Sequence, residues 1–163
     1  MALSAPPLKS TLDEGGIGVA AVELDIGLDT FRPISTPELT DHRMHRERVS
    51  VGSDAASAVS AARERGGRVV AVGTTVVRAL ETAAAGGGLV APVDTNTSLF
   101  ITPGFRFDVV DLLVTNFHVP GSTLVVLLAA FMGPRWRQAY SVALDREYRF
   151  LSFGDSMLAE RAV

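Results

Sequence analysis

A short cluster, Asn116-Phe117-His118, follows an apolar stretch and precedes a helix start at Pro120. An amide can hydrogen-bond the edge of a base or ribose, an aromatic ring can stack on a base, and an imidazole can move a proton near neutral pH. In open α/β sheets ligands collect at the carboxyl ends of strands, where this cluster is predicted to lie. The alternative is a structural histidine in a tight turn. Asp155 is a further candidate for the pocket, or simply a turn residue.

A second strand-to-helix junction is predicted at Gly73-Thr74-Thr75. The free N–H groups of the first helical turn, together with two hydroxyls, suit an anion or ribose oxygens. A plain helix start is the alternative. Arg78 and Glu81 follow one turn later on a common helix face, where they could bind a carboxylate or an amine. Most pairs of this kind are solvated and of little consequence.

His42, His45 and Glu47 are the side chains that could ligate a metal ion. The two histidines can share a helix face, but their spacing is not that of a zinc protease and no further ligand is implied. The arginines interleaved with them would repel a cation. We therefore predict no metal site. The segment is either a patch that faces phosphate or substrate, or a solvated loop.

The elements that must position these residues alternate along the chain. Strands are predicted at 19–26, 48–51, 68–72, 98–101 and 109–115, with a β-like stretch at 148–153 before a short tail. Helices are predicted at 53–65, 76–85, 124–132 and 134–145. This rhythm indicates an α/β fold with a mixed sheet flanked by helices. Residues 1–16 are expected to be an irregular lead-in, and residues 17–163 a single α/β domain.

The composition is that of an ordinary globular protein, with 47% hydrophobic and 20% charged residues among 163. The absence of cysteine excludes disulfides and thiolate metal sites. A net charge of −3 does not favour binding to nucleic acid through bulk positive potential, although the basic residues are almost all arginine, which suits local phosphate contacts. The longest apolar run is too short to cross a bilayer. A cytoplasmic location without membrane contact is expected.

Several blocks, in order along the chain, resemble one family, the S-adenosylmethionine:tRNA ribosyltransferase-isomerases of queuosine biosynthesis. The blocks are Gly-Leu-Asp-Thr-Phe-Arg-Pro at 27–33, His-Arg-Met-His-Arg-Glu at 42–47, Val-Ala-Val-Gly-Thr-Thr-Val-Val-Arg-Ala-Leu-Glu at 70–81, Leu-Phe-Ile-Thr-Pro-Gly-Phe at 99–105, Thr-Asn-Phe-His-Val-Pro-Gly-Ser-Thr-Leu at 115–124 and the closing stretch 148–158. The resemblance covers about residues 17 to 158. It implies an incomplete version of the family's large, barrel-like domain.

The resemblance implies transfer of the ribosyl group of S-adenosylmethionine to 7-aminomethyl-7-deazaguanine in tRNA. The product is epoxyqueuosine, and adenine and methionine are released. S-adenosylmethionine is then a co-substrate, and no resident cofactor is expected. The reaction needs a base beside the sulfonium, a proton donor to adenine and a dry pocket. On this basis the expected roles are proton transfer for His118 and His45, nucleoside binding for Gly73, Thr74, Thr75 and Asn116, and binding of the methionine end for Arg78 and Glu81.

The sequence also departs from the family pattern. Family members extend further at the N-terminus, Asp25 stands where they usually have His, Asp29 replaces Gly and Ser156 replaces Ala. The alternatives are an enzyme that is complete with a chain supplying an N-terminal half, a non-catalytic module that keeps the pocket, and a nucleotide-binding α/β domain of other chemistry.

Overall fold

The structure is a computed structural model that describes residues 12, 14–27, 34–85 and 87–162. The strands are β1 (Glu23–Leu24), β2 (Glu47–Val51), β3 (Val70–Val72), β4 (Val93–Thr97), β5 (Leu112–Asn116) and β6 (Ser156–Glu160). The main helices are α1 (Ser53–Glu64), α2 (Thr74–Ala83), α3 (Thr123–Met132) and α4 (Arg135–Asp145). A short 3₁₀ turn lies at Leu39–Asp41.

Within the described residues the strands form two three-stranded sheets. In the first, β2 lies between β1 and β4 and is antiparallel to both. In the second, β5 lies between β3, which runs parallel to it, and β6, which runs antiparallel. The carboxyl ends of β3 and β5 and the beginning of β6 therefore meet at one edge, which we call the carboxyl edge.

Helix α2 joins the two sheets, because it packs against strands of both. Val77 and Leu80 are buried on it, which explains why a strongly amphipathic segment is fixed as a helix here. Helix α3 is apolar almost all round, and Leu128 and Phe131 on it are fully buried. Its start is capped by Ser122, whose hydroxyl accepts a hydrogen bond from the N–H of Val125 at 3.3 Å. Among the described residues no helix is long and apolar enough to cross a membrane.

The structure confirms the mixed α/β fold, but the strands differ from the sequence prediction in two places. The strand predicted at 98–101 lies instead at Val93–Thr97. This polar segment has weak strand propensity, and its backbone pairing with β2 fixes it as a strand. At the surface of the pair, Arg48 also donates two hydrogen bonds to Asp94. The predicted tail is strand β6, whereas 148–153 is a loop. Pairing with β5 makes Ser156–Glu160 extended.

Other predictions hold with shifted bounds or fall outside the described residues. The first strand is only Glu23–Leu24, shorter than predicted, and helix α2 begins at Thr74. Most of the predicted lead-in at 1–16, and the positions 28–33 of the Gly-Leu-Asp-Thr-Phe-Arg-Pro block, lie outside the described residues.

One face of the second sheet is apolar and open to solvent. The register places Val72, Val114 and Leu158 side by side. Val70, Val72 and Leu158 are 45%, 43% and 65% exposed, whereas Ala71, Leu113 and Ala159 on the opposite face are buried in the core. A parallel strand pair normally has both faces covered. We call Val70, Val72, Val114 and Leu158 the open sheet face.

Candidate functional site

The two junctions singled out in the sequence are neighbours at the carboxyl edge. The N–H of Gly73 donates to the carbonyl of Val114 at 2.8 Å, so the start of α2 lies beside the end of β5. Asn116 is the last residue of β5, and His118 follows in the loop to α3. The fold therefore brings Gly73–Thr75 and Asn116–His118 together.

Gly73 makes the turn from β3 into α2 with a φ of 100°, a conformation that glycine adopts readily. Among the described residues, nothing lies within 4 Å of where a side chain at Gly73 would begin. Thr74 is buried and Thr75 half-buried. The first N–H groups of a helix have no partner within the helix and carry partial positive charge. A ligand can thus approach the backbone at this point.

His118 is held from two sides. Its Nε2 lies 2.9 Å from the hydroxyl of Thr115, and its backbone N–H donates to the hydroxyl of Tyr140 at 2.8 Å. Burial lowers the pKa of His118 from 6.5 to about 4. Burial also raises the pKa of Tyr140. The imidazole is therefore neutral at physiological pH, which is the form that accepts a proton.

Asn116 and Asp155 fix the loop between α4 and β6 to the carboxyl edge. The Asn116 amide donates to the carbonyls of Gly154 and Asp155, at 3.4 and 3.2 Å. The Asp155 carboxylate accepts the N–H of Arg149 at 2.8 Å. Both side chains are half-buried. They hold the loop next to the junctions, and the carbonyl oxygen of the Asn116 amide is not used in these bonds.

Phe117 is only 3% exposed. Its ring packs against those of Tyr140, Tyr148 and Phe150, with centroids 5.4 to 5.8 Å apart. These contacts between protein rings occupy Phe117 in this structure. They set the position of the backbone that leads to His118.

Arg78 is buried in an ion pair with Glu47 of β2, and its Nε donates to the carbonyl of Leu99 at 3.1 Å. Its second terminal nitrogen is buried and has no hydrogen-bond partner among the described residues. A buried donor of this kind is unusual in a folded protein and suggests a missing acceptor. Arg78 lines a narrow cleft with Met44, Phe100 and Thr123. The volume of the cleft, about 10 Å³, is far below the roughly 300–1,000 Å³ of typical ligand sites and is about what one water molecule needs.

Glu81 is not paired with Arg78. Its carboxylate accepts three backbone N–H groups, those of Asp108 at 2.9 Å, Val109 at 3.1 Å and Val110 at 3.0 Å. Glu81 is 5% exposed. These hydrogen bonds anchor the loop that leads into β5.

The segment before β2 lies beside the cleft. His45 is exposed and follows Met44, a lining residue. The ring of His42 packs against that of Phe100, with centroids 5.0 Å apart. In the part of the chain that the structure describes, no group of three His, Asp or Glu side chains is placed to hold a metal ion.

A larger cleft, of about 820 Å³, lies away from these residues. It is lined by the end of α1, the loop at 87–90, the loop at 106–108 and Arg161. Arg161 follows β6 and bonds to Asp111 before β5, so this cleft lies at the amino ends of the parallel strands. Ligands of open α/β sheets bind at the other end, so we place the site at the carboxyl edge despite the smaller volume there.

Sequence reasoning missed the roles of three residues that support the site. Glu47 was considered as a metal ligand and is the partner of Arg78, and Thr115 and Tyr140 hold His118. A threonine three residues before a histidine in a turn was the available signal for Thr115. The contact of Tyr140 joins distant parts of the chain, and spacing gives no signal for it.

The fold and the site geometry together define a class of protein. It is a mixed α/β protein with a polar site at the carboxyl ends of two parallel strands. The sequence profile described as queuosine biosynthesis protein matches residues 5–159. The chain belongs to this family.

Two relatives that carry the same name are identical to the chain at about half of the aligned positions. The S-adenosylmethionine:tRNA ribosyltransferase-isomerase of Acidiphilium cryptum is 53% identical over 148 residues, which are 90% of this chain and 43% of that protein. That of Pelotomaculum thermopropionicum is 50% identical, over 94% of this chain and 46% of that protein. The crystal structure of an S-adenosylmethionine tRNA ribosyltransferase from Thermotoga maritima matches with a TM-score of 0.73 and 41% identity, covering 94% of this chain and 49% of that one. The chain thus spans less than half the length of these relatives.

Proposed function

We propose that the chain provides the S-adenosylmethionine-binding part of a tRNA ribosyltransferase-isomerase. In this reaction the ribosyl group of S-adenosylmethionine is transferred to 7-aminomethyl-7-deazaguanine in tRNA and isomerised, giving epoxyqueuosine with release of adenine and methionine. The names of the relatives motivate the choice of reaction. The observation that carries the proposal is the meeting of the Gly73 and His118 junctions at one edge. A cytoplasmic setting, where tRNA is modified, is part of the proposal.

The nucleoside is assigned to the two junctions. Gly73 leaves space for close approach, and the first turn of α2, with Thr74 and Thr75, offers N–H and hydroxyl donors to ribose oxygens. The carbonyl oxygen of the Asn116 amide, which takes no part in the bonds to Gly154 and Asp155, is an acceptor at the end of β5. Asp155 acts with Asn116 by fixing the loop that borders this space.

The methionine end is assigned to Arg78. Arg78 lines the cleft, and its second terminal nitrogen is a charged donor without an acceptor among the described residues. A carboxylate is the acceptor that best satisfies it. Glu81 acts indirectly, because its carboxylate is engaged by the backbone of 108–110. Phe117 likewise acts through packing that positions His118.

The proton-transfer roles follow from charge state. A neutral His118 suits the base that removes a proton next to the sulfonium, and its pKa of about 4 requires a strongly acidified carbon, which the positive sulfur provides. The same low pKa leaves the resting imidazole of His118 unprotonated at neutral pH, so it holds no imidazolium proton to give to adenine. The proton donor to adenine is therefore assigned to the exposed His45 beside the cleft.

The cleft at Arg78, of about 10 Å³, is too small for S-adenosylmethionine or for its methionine end, and within the described residues the open sheet face lacks cover. Both features fit a site completed by the polypeptide that corresponds to the other half of the relatives, in the same chain or in another. S-adenosylmethionine and tRNA carrying 7-aminomethyl-7-deazaguanine are the remaining proposed partners.

Release of adenine from S-adenosylmethionine, measured by chromatography with acceptor tRNA present, tests the function. The chain is assayed alone and with the other half of a relative supplied. We expect release that His118→Ala abolishes and that Leu144→Ala, an exposed position on α4, leaves unchanged. Binding of S-adenosylmethionine without any adenine release, in both preparations, would indicate a non-catalytic module instead.

A further inference from the structure

The loop between α4 and β6 projects an aromatic ring at the carboxyl edge. Its end is fixed there, because Ser156 pairs with Asn116 in the register of β6 and β5. Its middle is fixed as well, since the N–H of Leu151 donates to the carbonyl of Phe117 at 2.8 Å. The loop therefore borders the residues that lead to His118.

The loop contains residues with strained backbone conformations that local contacts hold in place. Glu147 and Leu151 have φ values of 54° and 71°, in the left-handed region that non-glycine residues seldom adopt. Gly154 has no room for a side chain, because a Cβ there would overlap the backbone of Arg149 and Phe150. The N–H of Asp155 also donates to the carbonyl of Arg149 at 2.7 Å. Local hydrogen bonds thus fix the conformation of the loop at its tip.

Phe153, at that tip, is 98% exposed, whereas Phe150 of the same loop packs against Phe117. Burying a phenylalanine side chain stabilises a protein by roughly 1.5–3 kcal/mol. Phe153 does not contribute this stabilisation, because it is exposed. The fixed loop holds both faces of the ring in solvent beside the site. A single exposed apolar residue needs no explanation on an arbitrary surface, but Phe153 stands on a loop that hydrogen bonds attach to the carboxyl edge.

We infer that Phe153 is a stacking surface for a nucleobase. This inference rests on the proposed function, in which two ligands carry such a base: the unstacked bases of the tRNA loop and the adenine of S-adenosylmethionine. Stacking on an aromatic side chain suits either, because every base has a π-face. Phe153, instead of the buried Phe117, then supplies the aromatic contact.

Binding measurements test the inference. They use either the chain alone or the chain with the other half, whichever preparation binds the ligand with the higher affinity. The variants are Phe153→Ala, Phe153→Tyr and Phe153→Trp, with Leu89→Ala as the matched control. Leu89 is 78% exposed and lies at the cleft near the amino ends of the strands. S-adenosylmethionine is titrated by calorimetry, and a labelled anticodon stem-loop RNA by fluorescence anisotropy.

We expect Phe153→Ala to weaken binding of at least one ligand by about 5- to 150-fold, with affinity restored by Tyr and Trp and unchanged in the control. The ligand affected identifies the source of the base. Equal affinity of Phe153→Ala and wild type for both ligands would overturn the inference, as would failure of the wild type to bind either. Loss of assembly with the other half in Phe153→Ala would instead assign the ring to a protein contact and also overturn it. If stacking is found but adenine is never released, the proposed function fails while the inference stands.

Discussion

The buried pair of Arg78 and Glu47 is the charged contact on which the cleft depends. Removing one partner of a buried ion pair typically destabilises a protein by about 3–5 kcal/mol, because the other charge stays buried without it. We expect Glu47→Gln and Arg78→Met each to lower the free energy of unfolding in urea by an amount near this range. The double variant should recover part of the loss, because it removes both charges.

A matched control is the pair of Arg48 and Asp94, which links the same strand β2 to β4 at the surface. Arg48→Met is expected to change the free energy of unfolding little, because solvent screens exposed charges. Equal effects of Glu47→Gln and Arg48→Met would contradict the importance of the buried pair.

His118 should make stability depend on pH. Its pKa is about 4 in the folded chain and 6.5 in the unfolded one, so between these values the unfolded state binds the extra proton. The penalty is absent above pH 6.5, grows as pH falls and is complete below about pH 4, where it reaches roughly 3 kcal/mol. We expect His118→Gln to flatten the decline in unfolding free energy between pH 6.5 and 4, measured by urea titration. The same decline in variant and wild type would contradict the neutral, buried imidazole.

At the scale of elements, Glu81 connects helix α2 to the loop before β5. Glu81→Ala would leave the three N–H groups of 108–110 without acceptors, and each buried unsatisfied group costs about 1–3 kcal/mol. We expect the amides of Asp108, Val109 and Val110 to lose protection in hydrogen exchange more than the rest of β5. Glu64→Ala, at an exposed site on α1, is the control. Unchanged protection at these amides would show that Glu81 does not anchor the loop.

The elements that sequence predicted well are those with local determinants. Helix α1 begins near Ser53 and ends before two glycines, and the apolar run at 68–72 contains β3. Strand β4 could not be found this way, because Val93–Thr97 is polar and its extended state comes from pairing with β2. The same holds for the site. Residue types pointed to the two junctions, whereas the partner of Arg78 lies in a distant strand.

At the scale of the whole molecule, two features are left uncovered on the second sheet. Besides the open sheet face, β3 is an edge strand of the described sheet, and edge strands offer backbone groups for further pairing. Residues 69 and 73 bond to β5 and its flanks, so alternate backbone groups at Val70 and Val72 point away from it. An apolar face and a free edge together favour a partner that brings both a strand and apolar side chains.

A charged side chain placed on the open sheet face should therefore prevent assembly with the partner half and leave the fold of the chain unchanged. Leu158→Lys and Val72→Lys put an ammonium where the partner half is proposed to pack, and a buried unpaired charge is strongly unfavourable. Both side chains are already in solvent, so the fold of the chain alone should persist in circular dichroism, with better solubility. When the chain is co-expressed with a tagged N-terminal half of a relative, these variants should no longer co-purify, whereas Leu144→Lys on α4 should co-purify like wild type. If Leu158→Lys co-purified with the N-terminal half as well as wild type does, the partner would not pack on the open sheet face. A packed apolar interface cannot take up that charge without loss of affinity.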